Sequence, residues 1–81
     1  ENISPNPASN QMQVNYKLNG VSSAYLMIIG QYGTNGSSNN YVLNTTSSQT
    51  IINLSNYTNG FYTVALVCNG QIVDAKTLIK Q

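Results

Sequence analysis

Apolar and polar residues alternate in short runs along this chain, and clusters of Asn, Gly and Ser separate the runs. The clearest run places four residues of buried type at every second position: Met12, Val14, Tyr16 and Leu18. A period of two predicts a β-strand with one face in the core and the other in solvent. Asn19-Gly20 follows directly, and this dipeptide favours a tight turn at the end of a strand.

Similar patterns recur along the rest of the chain and are separated by turn-forming residues. They predict five further strands over residues 24–31, 41–45, 50–55, 61–68 and 71–80. The pattern over 24–31 is apolar at nearly every position, so we expect a central strand that is covered on both sides. Residues 32–40 are rich in Gly, Asn and Ser, which predicts a loop.

With a short edge strand near Ile3, these patterns give about seven strands and no helical period. We therefore predict an all-β fold, a small Ig-like antiparallel β-sandwich, with residues 1–81 as a single domain. Asn69-Gly70 predicts a two-residue hairpin between the last two strands. We expect one face of the final strand to carry Ile72, Asp74, Lys76, Leu78 and Lys80.

The composition excludes several classes of function. Charged residues make up 6% of the chain, against about 25% in an average globular domain. The basic residues are Lys17, Lys76 and Lys80, and three scattered lysines cannot form the basic patch that phosphate neutralisation requires. Since no apolar run approaches the roughly 20 residues that span a bilayer, we expect neither nucleic-acid binding nor membrane insertion.

Groups that could perform chemistry are nearly missing. The chain has no His, its only acidic side chains are Glu1 and Asp74, and its only cysteine is Cys68. General acid–base catalysis, a zinc or iron site and an activated thiolate each need more partners than this. We therefore predict that the protein is not an enzyme and has no cofactor or metal site. Cys68 is expected to be a small buried hydrophobe, or else a thiol that pairs between chains.

Six tyrosines raise the alternative of carbohydrate binding. Most of them fall in strand patterns, where Tyr is favoured for packing. Tyr32 and Tyr41 flank the predicted loop and are the best candidates for exposure. A second open question concerns the sheet edges, which lack the lysines that usually protect them. Either the fold hides these edges or another protein pairs with one of them by strand addition.

The order of four motifs resembles a known family. They are the opening Pro5-Asn6-Pro7-Ala8, the strand Gly60-Phe61-Tyr62-Thr63-Val64, the hairpin Asn69-Gly70, and the closing pair Lys76 and Lys80. In this order, and over essentially the whole chain, they resemble the type A carboxy-terminal sorting domains of the type IX (Por) secretion system of Bacteroidetes.

The resemblance implies a non-catalytic C-terminal sorting signal carried by a larger secreted protein. Such a domain follows its cargo to the periplasm, meets the outer-membrane translocon and sortase components, and delivers the cargo to the outer-membrane surface or the extracellular space. The sortase would cut in a linker before Glu1. Since the chain starts without Met, we expect it to be a piece of such a protein.

Two segments are candidates for recognition by this machinery. One is the final strand with Asp74, Lys76 and Lys80, and the other is the segment Pro5-Asn6-Pro7, in which the proline rings fix φ. Two alternatives stay open: an accessory Ig-like module of a surface enzyme or adhesin, which binds glycan or acts as a spacer, and a module that self-associates through its uncharged edges.

Overall fold

The computed structural model describes residues 2–4, 9–30 and 38–81. These residues form seven strands: β1 (Asn2–Ser4), β2 (Gln11–Asn15), β3 (Ala24–Gly30), β4 (Ser38–Val42), β5 (Gln49–Asn53), β6 (Gly60–Cys68) and β7 (Gln71–Lys80). No helix occurs in the described ranges. The predicted all-β fold class is confirmed.

The strands form two antiparallel sheets that pack face to face. One sheet has the order β1-β2-β5 and the other the order β4-β3-β6-β7. This is the strand arrangement of an Ig-like sandwich, in which the first, second and fifth strands form one layer and the third, sixth and seventh belong to the other. In this arrangement β7 lies at the edge of the four-stranded sheet, next to β6 alone among the strands.

The core lies between the two sheets and is built from the alternating positions of the strands. The three-stranded sheet and the segments that follow its strands contribute Met12, Val14, Tyr16, Ile52 and Leu54. The four-stranded sheet contributes Ala24, Leu26, Ile28, Tyr62, Val64, Leu66 and Leu78. The period of two read from the sequence therefore identifies the core face of β2, although this strand ends at Asn15 and the predicted continuation to Leu18 is wrong.

The prediction that residues 24–31 are covered on both sides is wrong. β3 lies between β4 and β6 within its sheet, but only one of its faces is packed against the other sheet. On the opposite face Tyr25, Met27 and Ile29 are half-buried. Their neighbours on β4 and β6 shield them in part, and no layer among the described residues covers them.

The prediction for the fourth strand is displaced by three residues. We expected a loop over 32–40 and a strand over 41–45, whereas β4 is Ser38–Val42. Asn39 and Asn40 are poor strand formers, yet they pair with Ile28 and Met27 of β3. A strand at a sheet edge needs one partner only, so pairing with β3 overrides the local preference. Residues 31–37 lie outside the described part.

A β-bulge changes the faces of the last strand. Leu66 lies opposite Asp74 while its neighbour Val67 lies opposite Ile72, so that Val73 is the extra residue. The bulge moves Ile72 to the outer face and leaves Asp74, Lys76, Leu78 and Lys80 on the inner face. The expectation that Ile72 shares a face with Asp74 is therefore wrong, because an inserted residue breaks the period of two.

Cys68 is less buried than predicted. It is a free, half-buried cysteine at the end of β6 that packs against the edge of the core.

Candidate functional site

Two of the candidate recognition residues of β7 reach solvent. Asp74 and Lys76 lie on the inner face of the four-stranded sheet, opposite Leu66 and Val64 of β6. The side chain of Lys76 is exposed. The Asp74 carboxylate accepts a hydrogen bond of 2.9 Å from the N–H of Ala75. β7 is an edge strand that pairs with β6, and β1 of the other sheet also contacts it.

Lys80 occupies a different environment. Only 9% of its surface is exposed, and its ammonium group donates to the side-chain oxygen of Asn59 at 3.5 Å and to the backbone oxygen of Gln81 at 3.1 Å. A buried ammonium group requires such partners, because burial without them is costly. The three charged residues of β7 therefore do not form one continuous exposed stripe.

The corner between β5 and β6 is fastened by Tyr62. Its hydroxyl donates to the backbone oxygen of Thr58 at 2.6 Å, and its ring packs edge-on against Tyr57 with 5.3 Å between the centroids. A tyrosine near the start of a strand that bonds to the backbone a few residues upstream is the tyrosine corner of Ig-like sandwiches. Gly60 begins β6 with a φ of 150°, a conformation that other residues rarely adopt.

The Asn69-Gly70 hairpin has a second function in the fold. Both residues have positive φ, 51° and 82°, as a type I′ turn requires. The side-chain oxygen of Asn69 also accepts from the N–H and hydroxyl of Ser22 and from the N–H of Ser23. The predicted hairpin is confirmed, and its asparagine additionally ties the turn to the segment before β3.

A cleft lies between β4 and the β5–β6 corner. It has a volume of about 280 Å³ and is lined by three tyrosines and four polar residues: Asn39, Tyr41, Asn53, Asn56, Tyr57, Thr58 and Tyr62. The hydroxyls of Tyr41 and Tyr57 form a hydrogen bond of 2.5 Å across it. None of the described residues that line it is charged.

The environment of Tyr57 keeps its phenol protonated. Burial contributes most to a raised pKa, the hydrogen bond to Tyr41 adds to it, and a hydrogen bond from Asn39 partly opposes it. Sequence reasoning missed this cleft because Tyr41 and Tyr57 belong to different elements, and no local pattern places two such residues together. Of the lining residues, only Tyr41 was a candidate for carbohydrate binding. The other candidate, Tyr32, lies outside the described residues.

The remaining candidates add no chemistry. Pro5, Asn6 and Pro7 also lie outside the described residues. Among the described residues, no group of three or more His, Cys, Asp or Glu side chains could hold a metal ion. Within the same ranges, no helix has the length and apolar character needed to cross a membrane.

Comparison with known proteins gives one match. A family model described as the secretion system C-terminal sorting domain matches residues 2–81. No curated protein and no solved structure matches the chain.

Proposed function

Because this chain belongs to the family of secretion system C-terminal sorting domains, we propose that it directs a cargo protein, joined to its amino-terminal end, through the type IX secretion system. The family match over residues 2–81 carries this proposal. The cargo reaches the periplasm first, and the outer-membrane translocon then recognises the sorting domain and passes the cargo to the cell surface or the extracellular space. A sortase cuts in the linker between the cargo and the domain.

The domain acts as a folded address and performs no catalytic step. A sorting signal needs a surface that its receptor can read, and this requires no acid, base or metal. Such a role agrees with the sequence, which has no His and only two acidic side chains.

We place the recognised surface on the inner face of β7. Asp74 and Lys76 are charged side chains on an edge strand, and Asp74 is partly and Lys76 well exposed to solvent. Charged groups on an otherwise nearly uncharged surface give a receptor orientation and selectivity. Lys80 lies on the same face but is buried, and its bond to Asn59 links the end of β7 to the β5–β6 corner. Pro5, Asn6 and Pro7 are a second candidate segment for recognition, proposed from the sequence.

A secretion assay tests the proposal. A fluorescent reporter is fused upstream of the domain and expressed in a Bacteroidetes host with a working type IX system. Truncation of the last strand is unsuitable, because it removes the fully buried Leu78. We therefore compare Lys76→Ala with Lys17→Ala, which removes the same charge from an exposed position just after β2. Circular dichroism of each purified domain verifies folding.

We expect export of the reporter with the unmodified domain and with Lys17→Ala, and periplasmic retention with Lys76→Ala. Retention of the reporter with the unmodified domain contradicts the sorting function itself. Normal export of folded Lys76→Ala contradicts only the placement of the recognised surface on β7. A Pro5→Ala/Pro7→Ala variant then tests whether the amino-terminal segment is read instead.

A further inference from the structure

The cleft between β4 and the β5–β6 corner has the properties of a ligand site that sorting does not require. From its lining we infer that it binds one uncharged sugar residue. This inference is independent of the proposed sorting function. The size of the cleft, its charge and its hydrogen-bonding groups each favour such a ligand.

The size of the cleft limits the ligand to a small molecule or to one unit of a larger one. Its volume of about 280 Å³ is close to the lower end of the range of ligand pockets, about 300–1,000 Å³. Tyr41, Tyr57 and Tyr62 form its aromatic part, and Tyr57 and Tyr62 hold each other through an edge-on ring contact. Aromatic rings offer an apolar surface to the C–H groups of a pyranose ring, and their hydroxyls offer a polar edge.

The cleft selects against charged ligands. Of the described side chains that line it, none is ionised at neutral pH, and the phenol of Tyr57 is kept protonated by burial and by Tyr41. Lys80 is not among the residues that line the cleft, and its ammonium group bonds to Asn59 and Gln81. An anionic ligand would lose hydration without gaining an opposite charge, which is unfavourable. A neutral ligand has no such penalty.

Three of the four polar lining residues are asparagines, and the amides of Asn53 and Asn56 can still form hydrogen bonds. The Asn53 side chain accepts from the N–H of Ser55 through its oxygen, which leaves its NH₂ donors available. The Asn56 side chain makes no hydrogen bond to another described residue. Each amide can donate and accept at the same time, and vicinal hydroxyls on a sugar ring can also do both. Amides next to aromatic rings therefore match a neutral sugar better than a purely apolar ligand.

Nuclear magnetic resonance of the ¹⁵N-labelled chain tests the inference. The probes are glucose, galactose, mannose and N-acetylglucosamine, with glucuronic acid as the charged counterpart of glucose. We expect at least one uncharged sugar to cause saturable shifts at Asn39, Tyr41, Asn56 and Tyr57, and glucuronic acid to bind more weakly than glucose. Methyl glycosides of the binding sugar distinguish a free reducing sugar from a residue within a glycan chain.

A pair of exposed asparagines provides the matched control. Asn56→Ala is expected to weaken binding about fivefold, which corresponds to the loss of one neutral hydrogen bond. Asn19→Ala removes an exposed asparagine that does not line the cleft and should leave binding unchanged. The inference is overturned if no uncharged probe shifts the cleft residues, if glucuronic acid binds better than glucose, or if both variants behave alike. The same Asn56→Ala variant is also tested in the secretion assay. We expect normal export of its reporter, so that a loss of sugar binding can be distinguished from a loss of sorting.

Discussion

The hydroxyl group of Tyr62 fastens the corner between β5 and β6, where the chain passes from one sheet to the other. Tyr62 is almost completely buried, with 2% of its surface exposed, and the hydroxyl donates to Thr58. We expect Tyr62→Phe to lower the free energy of unfolding by about 1 kcal/mol, since the oxygen of Thr58 loses its partner while the ring is retained. Urea denaturation of the purified domain measures this change.

Tyr25→Phe is the matched control for this substitution. Tyr25 is a half-buried tyrosine of β3, and its hydroxyl has no hydrogen-bond partner among the described residues. Its free energy of unfolding should stay within the error of the measurement. Equal losses in Tyr62→Phe and Tyr25→Phe would contradict the assignment of a tyrosine corner.

The raised pKa of Tyr57 predicts a pH dependence of stability. In the unfolded chain the phenol has a pKa near 10.0, and the folded state holds its proton more tightly. The fold is therefore fully stabilised by this group below pH 10, and the contribution is lost as the pH rises from there towards the pKa of the folded state. We expect the free energy of unfolding to fall with pH above 10, and to fall less steeply in Tyr57→Phe. Denaturant titrations at several alkaline pH values, with Tyr25→Phe as reference, test this.

At the scale of the element, the β6–β7 hairpin depends on one residue in two ways. Asn69 adopts a φ of 51° and its side chain accepts three hydrogen bonds from Ser22 and Ser23. Asn69→Gly keeps the backbone conformation and removes only the side chain, so we expect a loss of about 1 kcal/mol. Asn69→Ala adds the penalty of a left-handed backbone, a further ~1 kcal/mol.

Hydrogen exchange separates the two effects on this hairpin. The amides of Ser22 and Ser23 should exchange faster in both variants, because both lose the acceptor. Asn69→Asp retains an acceptor oxygen and should leave these two amides protected. Unchanged exchange in Asn69→Gly would show that the link between the hairpin and the segment before β3 contributes nothing.

Elements with a strict period of two could be predicted from the sequence, and elements fixed by a partner could not. The core positions of β2, the last hairpin and the number of strands follow from alternation and turn chemistry. The position of β4 does not, because Asn39 and Asn40 carry no strand signal of their own and are held by β3. The bulge at Val73 could not be predicted either, because no sequence pattern marks it and it is defined only by the register of β7 against β6.

At the scale of the whole molecule, stability and recognition can be separated experimentally. Leu78 is fully buried on β7, two residues from the exposed Lys76. Leu78→Ala should cost about 2–5 kcal/mol, which is a large part of the stability of a domain this small. We expect loss of the cooperative unfolding transition and of reporter export.

Comparison with Lys76→Ala decides whether the secretion machinery reads a folded surface. That variant should lose export and keep the cooperative unfolding transition. Normal export of an unfolded Leu78→Ala domain would show that the signal is read as a linear sequence, and it would contradict a folded address.

The candidate site could be predicted from the sequence only in part. The final strand and its charged residues follow from the pattern and from the family motifs, and the absence of His limits the chemistry directly. Burial of Lys80 against Asn59 could not be predicted, because it depends on where the β5–β6 corner ends relative to β7. The tyrosine cleft was equally inaccessible, since its walls come from β4 and from a corner that begins more than ten residues later.

The order of the strands also governs how quickly this chain can reach its folded state. β2 pairs with β5, and β3 pairs with β6, so both sheets close only after long intervening segments have been synthesised and brought together. Pairings of this kind slow folding to the range of about milliseconds to seconds. A newly made chain consequently spends an interval before its two sheets are complete, in which most of it is still extended. The topology that gives the domain its shape thus also delays the moment at which that shape exists.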